Sequence, residues 1–282
     1  THATTTPDLW TGGTHYGDWL GLDAPSGSYK GSSNEDLIAS AFYAWSTELV
    51  SRAGRVLGED VSEYETLHRE IVKAFRAAYP VYRTQTEYTV AVWFELAEHP
   101  QQAADELAEL VKKDGCRLKT GFVGTPFLLH VLSRYGHEDL AYTLLLRREY
   151  PSWLYPVTKG ATTIWEHWDG IMEDGGFWSA DMNSFNHYAY GSVADWIYEE
   201  AAGIRPLEPG FARVQVAPKP DHRLGWLEAS IETRNGAVRS RWEYRENQVR
   251  YEIEAEMPAT VVIDGIEHQV PAGNYIFWGK EK

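Results

Sequence analysis

From Ser33 to about Gly58 apolar residues recur three and four positions apart: Leu37, Ile38, Ala41, Phe42, Trp45, Leu49, Ala53, Val56 and Leu57. That period points one face of an α-helix at a core. Ser33 with Asp36 has the form of a capping box, and Gly58 supplies a stop. The pattern returns from Asp60 to Ala78 through Val61, Tyr64, Leu67, Ile71 and Phe75. It returns again over 84–97, 101–113, 126–134 and 138–148, with short turns at Pro100, Gly115 and Gly136. Three helical hairpins in series are predicted.

Between Glu149 and Asn183 the periodicity stops, and Trp153, Tyr155, Trp165, Trp168, Phe177 and Trp178 stand among Pro, Gly and Thr. A long loop of this kind is usually functional. A further helix is expected from about Ser184 to Ala202, ending at Gly203. Beyond Pro209 the texture becomes short alternating runs: 212–216, 227–231, 238–244, 248–255, 260–263 and 275–278. Asn235-Gly236 between two of them is a hairpin signal. The reading is therefore a helical domain over 1–203 and an antiparallel β-sandwich over 204–282.

Charge changes the picture of possible partners. The chain has 282 residues, with 26 Lys+Arg against 41 Asp+Glu and a net charge of −15. Such a field repels phosphate backbones and anionic lipid, so neither nucleic acid nor a membrane is the expected partner. No apolar run is long enough to span a bilayer, and the first residues, Thr1 to Pro7, have no basic start followed by an apolar core. A cytoplasmic location is the expectation, supported by a single cysteine, Cys116, which excludes an internal disulfide and a multi-cysteine zinc site. Composition adds one anomaly, 12 Trp and 17 Tyr. Flat rings are what a sugar site needs for stacking, although most of these serve equally well as core.

Four segments concentrate polar groups among aromatics: 14–20, 121–126, 162–170 and 183–190. In a ring of hairpins such loops gather at one mouth. Glu166, flanked by Trp165 and Trp168, is expected to be partly desolvated and to serve as a general base, the alternative being a capping or salt-bridging Glu. His187 can donate to a sugar hydroxyl or be a satisfied structural His; Asn183 and Asn186 suit hydroxyls or helix caps. Trp19 beside Asp18 can be a stacking platform or a packing Trp. Asp169 and Asp174 read as loop and turn residues. His15, His167 and Asp169 lack metal-ligand spacing, so no metal is expected. No nucleophile elbow or phosphate-cradling glycine loop is present.

Together these segments resemble the α-L-rhamnosidases of glycoside hydrolase family 78. The matching stretches are Tyr16-Gly17-Asp18-Trp19-Leu20, Gly27-Ser28-Tyr29-Lys30-Gly31, Gly121-Phe122-Val123-Gly124-Thr125-Pro126, Tyr150-Pro151-Ser152-Trp153-Leu154-Tyr155-Pro156, Gly160-Ala161-Thr162-Thr163-Ile164-Trp165-Glu166 and the run from Met182 to Gly191. The resemblance implies part of an (α/α)6 barrel, a six-hairpin glycosidase domain, followed by a β-sandwich. It also implies cofactor-free hydrolysis of terminal α-L-rhamnosyl residues with inversion. By its motif Glu166 resembles the family's general base. Trp19 and His187 stand where family members contact rhamnose, and Asp18, Trp165, Asn183 and Asn186 are expected around them.

The family's general acid normally lies in an acidic motif upstream of the Gly-Asp-Trp-Leu segment. Here only sixteen residues precede Gly17, and the sole carboxylate among them is Asp8. The chain is thus expected to be the C-terminal part of a longer rhamnosidase, weakly active by itself. Uncovered apolar helix faces would then favour self-association into a homo-oligomer. The connection at 79–85 is also shorter than the family's usual loop. Two other functions fit the same residues: a non-catalytic carbohydrate-binding protein, and another (α/α)6 glycosidase such as an unsaturated-uronyl hydrolase. The second should offer basic residues to a uronate, and these loops carry mostly Trp, Asp, Glu and Asn.

Overall fold

A computed structural model describes residues 8–280, and the stretch before Asp8 lies outside it. Each stretch of helical period becomes one helix, and successive helices pack in pairs: α1 (Glu35–Leu57) with α2 (Ser62–Ala78), α3 (Gln85–Trp93) with α4 (Pro100–Lys113), and α5 (Thr125–Arg134) with α6 (Glu138–Leu145). The first helix of each pair also touches the first helix of the next, so α1, α3 and α5 form an inner row. Burial follows from this. In α3 nearly every position from Gln85 to Val92 is buried, whereas α4 buries one stripe, Ala103, Ala104, Leu107, Ala108 and Val111. A helix hydrophobic on one face belongs outside, and one enclosed all round belongs inside.

The α1 cap differs from the sequence reading. Asn34, not Ser33, is the N-cap, and its side chain accepts from Leu37 N at 3.1 Å. Ser33 Oγ instead lies 2.7 Å from Thr84 Oγ1, at the start of α3. Gly58 closes the helix with φ of 74°. Leu37, Ile38, Ala41 and Ala44 are buried, but Phe42, Leu49, Val56 and Leu57 are exposed. Helix lengths explain the last three: α1 runs for 23 residues and its inner neighbour α3 for nine, so the second half of α1 outreaches its partner.

Within the long loop a short helix, α7 (Leu154–Thr158), forms where none was expected. The late helix starts five residues later than predicted. Residues 184–188 are loop, and the chain coils first as a 3-10 turn at Ala189–Ser192, then as α8 (Val193–Trp196), and widens into a π turn at Ile197–Ala201. The cause is competition for hydrogen bonds: His187 N donates across to Ile164 O at 2.9 Å and is lost to a helix. No described helix is long and apolar enough to cross a membrane.

Two compact units result, Thr1–Tyr190 and Gly191–Lys282. The second carries β1 (Ile204–Pro206), β2 (Val214–Val216), β3 (Trp226–Thr233), β4 (Gly236–Arg245), β5 (Gln248–Ala255), β6 (Ala259–Ile263), β7 (Ile266–Val270) and β8 (Gly273–Lys280). They form two four-stranded sheets, ordered β1-β2-β6-β7 and β3-β4-β5-β8. The alternating runs became β2 to β6 and β8. Strands β1 and β7 were not anticipated, the first because it is three residues long, the second because no position in it is buried. The pairing is antiparallel, as expected, save for β2 with β6, which is parallel.

The β3-β4-β5-β8 sheet is antiparallel throughout and turns at Asn235-Gly236, where Gly236 has φ of 120°. Its inner face buries Val238, Ser240, Trp242, Val249, Tyr251 and Ile253. Its outer face is a lattice of ion pairs. Arg239 contacts Glu228 at 2.9 Å and also Glu254, and Arg241 contacts Glu243 at 2.9 Å and Glu252 at 3.2 Å. The cross-strand register sets Trp226 opposite Glu243, Glu243 opposite Arg250, and Arg250 opposite Trp278.

Candidate active site

The first unit's loops are tied together by one buried carboxylate. Asp18 is 1% exposed, and its oxygens accept from Gly121 N at 2.7 Å, Val123 N at 2.9 Å, Gly124 N at 3.4 Å and the Thr86 hydroxyl. Burial pushes its carboxyl above the ordinary range while these donors pull it back. The approach demands glycine: a Cβ on Gly121 would lie 2.3 Å from Trp19 O, and one on Gly124 2.4 Å from Thr86 Oγ1. Asp18 therefore faces protein donors, and what it positions is the Trp19 strand and the 121–124 turn. Phe122 N completes the tie by donating to Trp19 O at 2.9 Å.

Glu166 sits on a second tie. Its backbone N donates to Ser184 O at 2.8 Å, and Ser184 N returns a hydrogen bond of 2.9 Å to its Oε2. Segments 164–166 and 184–187 thus run side by side, which also brings His187 N to Ile164 O and the Thr163 hydroxyl to Phe185 O. Glu166 is half-buried and lines an open cavity of about 470 Å³ with Phe177, Asp181, Asn183, Ser184 and Phe185. The two flanking rings pack against other rings. Trp165 meets Phe185 edge-on at 5.0 Å, and Trp168 stacks on Tyr190 at 3.8 Å.

The Asn183 amide donates to Gly170 O at 2.8 Å, while its Oδ1 is buried with no protein partner. Asn186 is exposed beside it. His187 lies face to face with Phe122, centroids 5.0 Å apart. Its Nδ1 accepts from Ala189 N at 3.3 Å, so in the neutral ring Nε2 carries the proton and is a donor. Trp19 meets Tyr16 at 5.3 Å and Tyr29 at 5.4 Å. Phe122, bonded to Trp19 through its backbone and to His187 through its ring, links the two aromatic groups.

Sequence reasoning passed over three participants. Asp181 shares the Glu166 cavity, but its carboxylate accepts from Ser179 Oγ at 2.6 Å, and that bond holds it below the usual carboxylate range. An ionised Asp181 is a poor proton donor. Trp178 stacks on His167 with centroids 3.5 Å apart and continues through Tyr29 to Trp19. His167 itself is 6% exposed with Nε2 unpartnered, and burial holds its imidazole down to about 4 against the pull of Glu166. The residue type was visible in the sequence, but nothing in the spacing marked the stack.

A consequence for stability follows. The folded-state value of His167 lies below the ordinary 6.5, so the unfolded chain binds the proton first. Stability from this group is complete above pH 6.5 and drains away as pH falls toward 4. The loss amounts to at most about 3 kcal/mol. Urea midpoints at pH 7 and pH 4.5 should fall further apart in the parent than in His167→Phe, which keeps the stack without the titration; equal falls would refute the assignment.

Models of known families match both units: the bacterial alpha-L-rhamnosidase 6 hairpin glycosidase domain over residues 1–201, and the bacterial alpha-L-rhamnosidase C-terminal domain over residues 203–271. An alpha-L-rhamnosidase of Streptomyces avermitilis is 41% identical over 238 residues, covering 82% of this chain and 22% of the relative. One from Formosa agariphila is 37% identical over 274 residues, covering 93% of this chain and 30% of the relative. Among solved structures, the Streptomyces avermitilis alpha-L-rhamnosidase complexed with L-rhamnose superposes with a TM-score of 0.89 at 36% identity, over 98% of this chain and 29% of that one. The native enzyme from Aspergillus terreus gives 0.90 at 32% identity, over 96% of this chain and 34% of that one. The chain thus spans less than a third of the length of the curated relatives.

Proposed function

The chain belongs to the bacterial α-L-rhamnosidase family, and from that premise we propose that it carries the general-base half of a site for hydrolysing terminal α-L-rhamnosyl residues with inversion. The observation that supports this most is the tie between Glu166 and Ser184. It fixes one carboxylate oxygen of a residue that lines an open cavity, and the other oxygen is left to take a proton from a water attacking the anomeric carbon. An inverting hydrolase needs a second carboxyl, roughly 6.5–9.5 Å away, to protonate the leaving oxygen. Asp18 is enclosed by donors and Asp181 is held ionised, so neither suits that task.

In this reading Trp19 offers a stacking face to the sugar, His187 Nε2–H meets a hydroxyl, Asn183 lines the cavity, and Asn186 lies at the rim. Proton transfers suffice for the chemistry, and no cofactor takes part. The ligand is a rhamnose-containing glycoside. Titration with L-rhamnose should quench Trp fluorescence saturably. Release of rhamnose from a rhamnosyl disaccharide, whose alkoxide leaving group needs a proton, should run about 10²–10⁴-fold below that of a site with both proton-transfer groups. A flat titration with L-rhamnose, alongside saturable quenching by another monosaccharide, would overturn the assignment.

A further inference from the structure

The outer face of the β3-β4-β5-β8 sheet has a feature that neither the helical unit nor the hydrolysis requires. Trp226 and Trp278 are 59% and 53% exposed, at opposite edges of the sheet. They terminate one cross-strand row, Trp226–Glu243–Arg250–Trp278. Three strand spacings separate them, about 14 Å. Ile276, 59% exposed, stands next to Trp278 on the same face. Large exposed aromatics on a regular, well-packed strand are informative, because burial is the cheaper fate for such rings.

What lies between the two rings narrows the occupant. On this face the outward positions of the four strands carry five basic and five acidic side chains. Arg239 and Arg241 are each shared between carboxylates of neighbouring strands, and Arg250 pairs with Glu252. In a chain of net charge −15 this surface is locally neutral, with its four arginines paired to carboxylates. It therefore gives no field to attract a polyanion or a basic partner. It does present fixed donors and acceptors between two flat apolar platforms. That combination matches a chain of sugar rings, whose C–H faces stack on aromatics and whose hydroxyls bridge carboxylate and guanidinium. We infer that this sheet face binds an uncharged polysaccharide, separately from the Glu166 cavity.

The test is electrophoresis of the whole chain through native gels containing galactomannan or hydroxyethyl cellulose, both uncharged, with polygalacturonate as the charged comparison. The parent chain should be retarded in a neutral gel and not by polygalacturonate. Trp226→Ala and Trp278→Ala should each weaken retardation roughly tenfold or more, as for central aromatic anchors. The double variant should run as in an empty gel, and Trp226→Phe should keep most of the effect. Thermal midpoints and the L-rhamnose titration should be unchanged in all of them, which separates this site from the proposed rhamnose site. No retardation in either neutral gel, or equal retardation of the double variant, would overturn the inference. So would a dimer on sizing that the double variant dissolves, because the face would then belong to a second copy.

Discussion

Asp18→Ala is expected to destabilise the chain by about 3–5 kcal/mol, the range for breaking a buried charged cluster by removing one partner. Three backbone N–H groups and the Thr86 hydroxyl converge on that carboxylate. Alanine would leave all four without an acceptor in a place water does not reach, each unmet group costing about 1–3 kcal/mol before relaxation. Asp18→Asn keeps the shape but turns an NH2 toward N–H donors, so a smaller loss of about 1–3 kcal/mol is expected. Urea unfolding at pH 7 should show both midpoints falling, in that order, at constant slope. A loss under about 1 kcal/mol for the alanine variant would mean the two loops hold together by other means. The 121–124 turn should loosen with it, and L-rhamnose quenching should weaken, since the Phe122 and His187 rings stack.

Glu166→Gln carries the second large effect. In a rhamnosidase polypeptide that turns over, kcat should fall by about 10²–10⁴, because an amide cannot accept the proton of the attacking water. The amide oxygen can still take the hydrogen bond from Ser184 N, so the paired segments and the cavity should survive. Affinity for L-rhamnose in this chain should then stay within about threefold, well under one factor of ten in binding. Such a split, chemistry lost and binding kept, is the signature of an interaction made in the transition state. A variant with kcat near that of the parent would remove Glu166 from the proposed role. A variant that binds no sugar would make it a binding group instead.

The helices and most strands were legible because periods of 3.6 and 2 report which face meets a core, and that is local information. The α1 pattern misled in its second half: Leu49, Val56 and Leu57 have the spacing of core residues, yet the shorter α3 leaves them uncovered. Glu166 stood out through its aromatic neighbours, and it is half-buried, while Trp165 and Trp168 themselves pack on Phe185 and Tyr190. Its actual anchor, Ser184, lies eighteen residues on and acts through backbone atoms that any residue possesses. Asp18 was hidden in the same way, since its donors are amides more than a hundred positions distant. The late start of the last helix has a similar origin. Residues 184–188 are weak helix formers one and all, and a cross-loop ladder takes the amides of Ser184 and His187.

Between the two strands of that ladder runs a hairpin clamped at its base by the Ile171–Phe177 bridge and by Trp178 N bonded to Gly170 O. Everything that fixes Glu166 lies at or below this base. The tip around Asp174 and Gly175 is an exposed turn bonded mostly to itself. Extra residues placed there would lengthen a solvent-facing protrusion without shifting the carboxylate. The hairpin is thus a tolerant position for grafting a reporter peptide or an affinity tag close to the cavity.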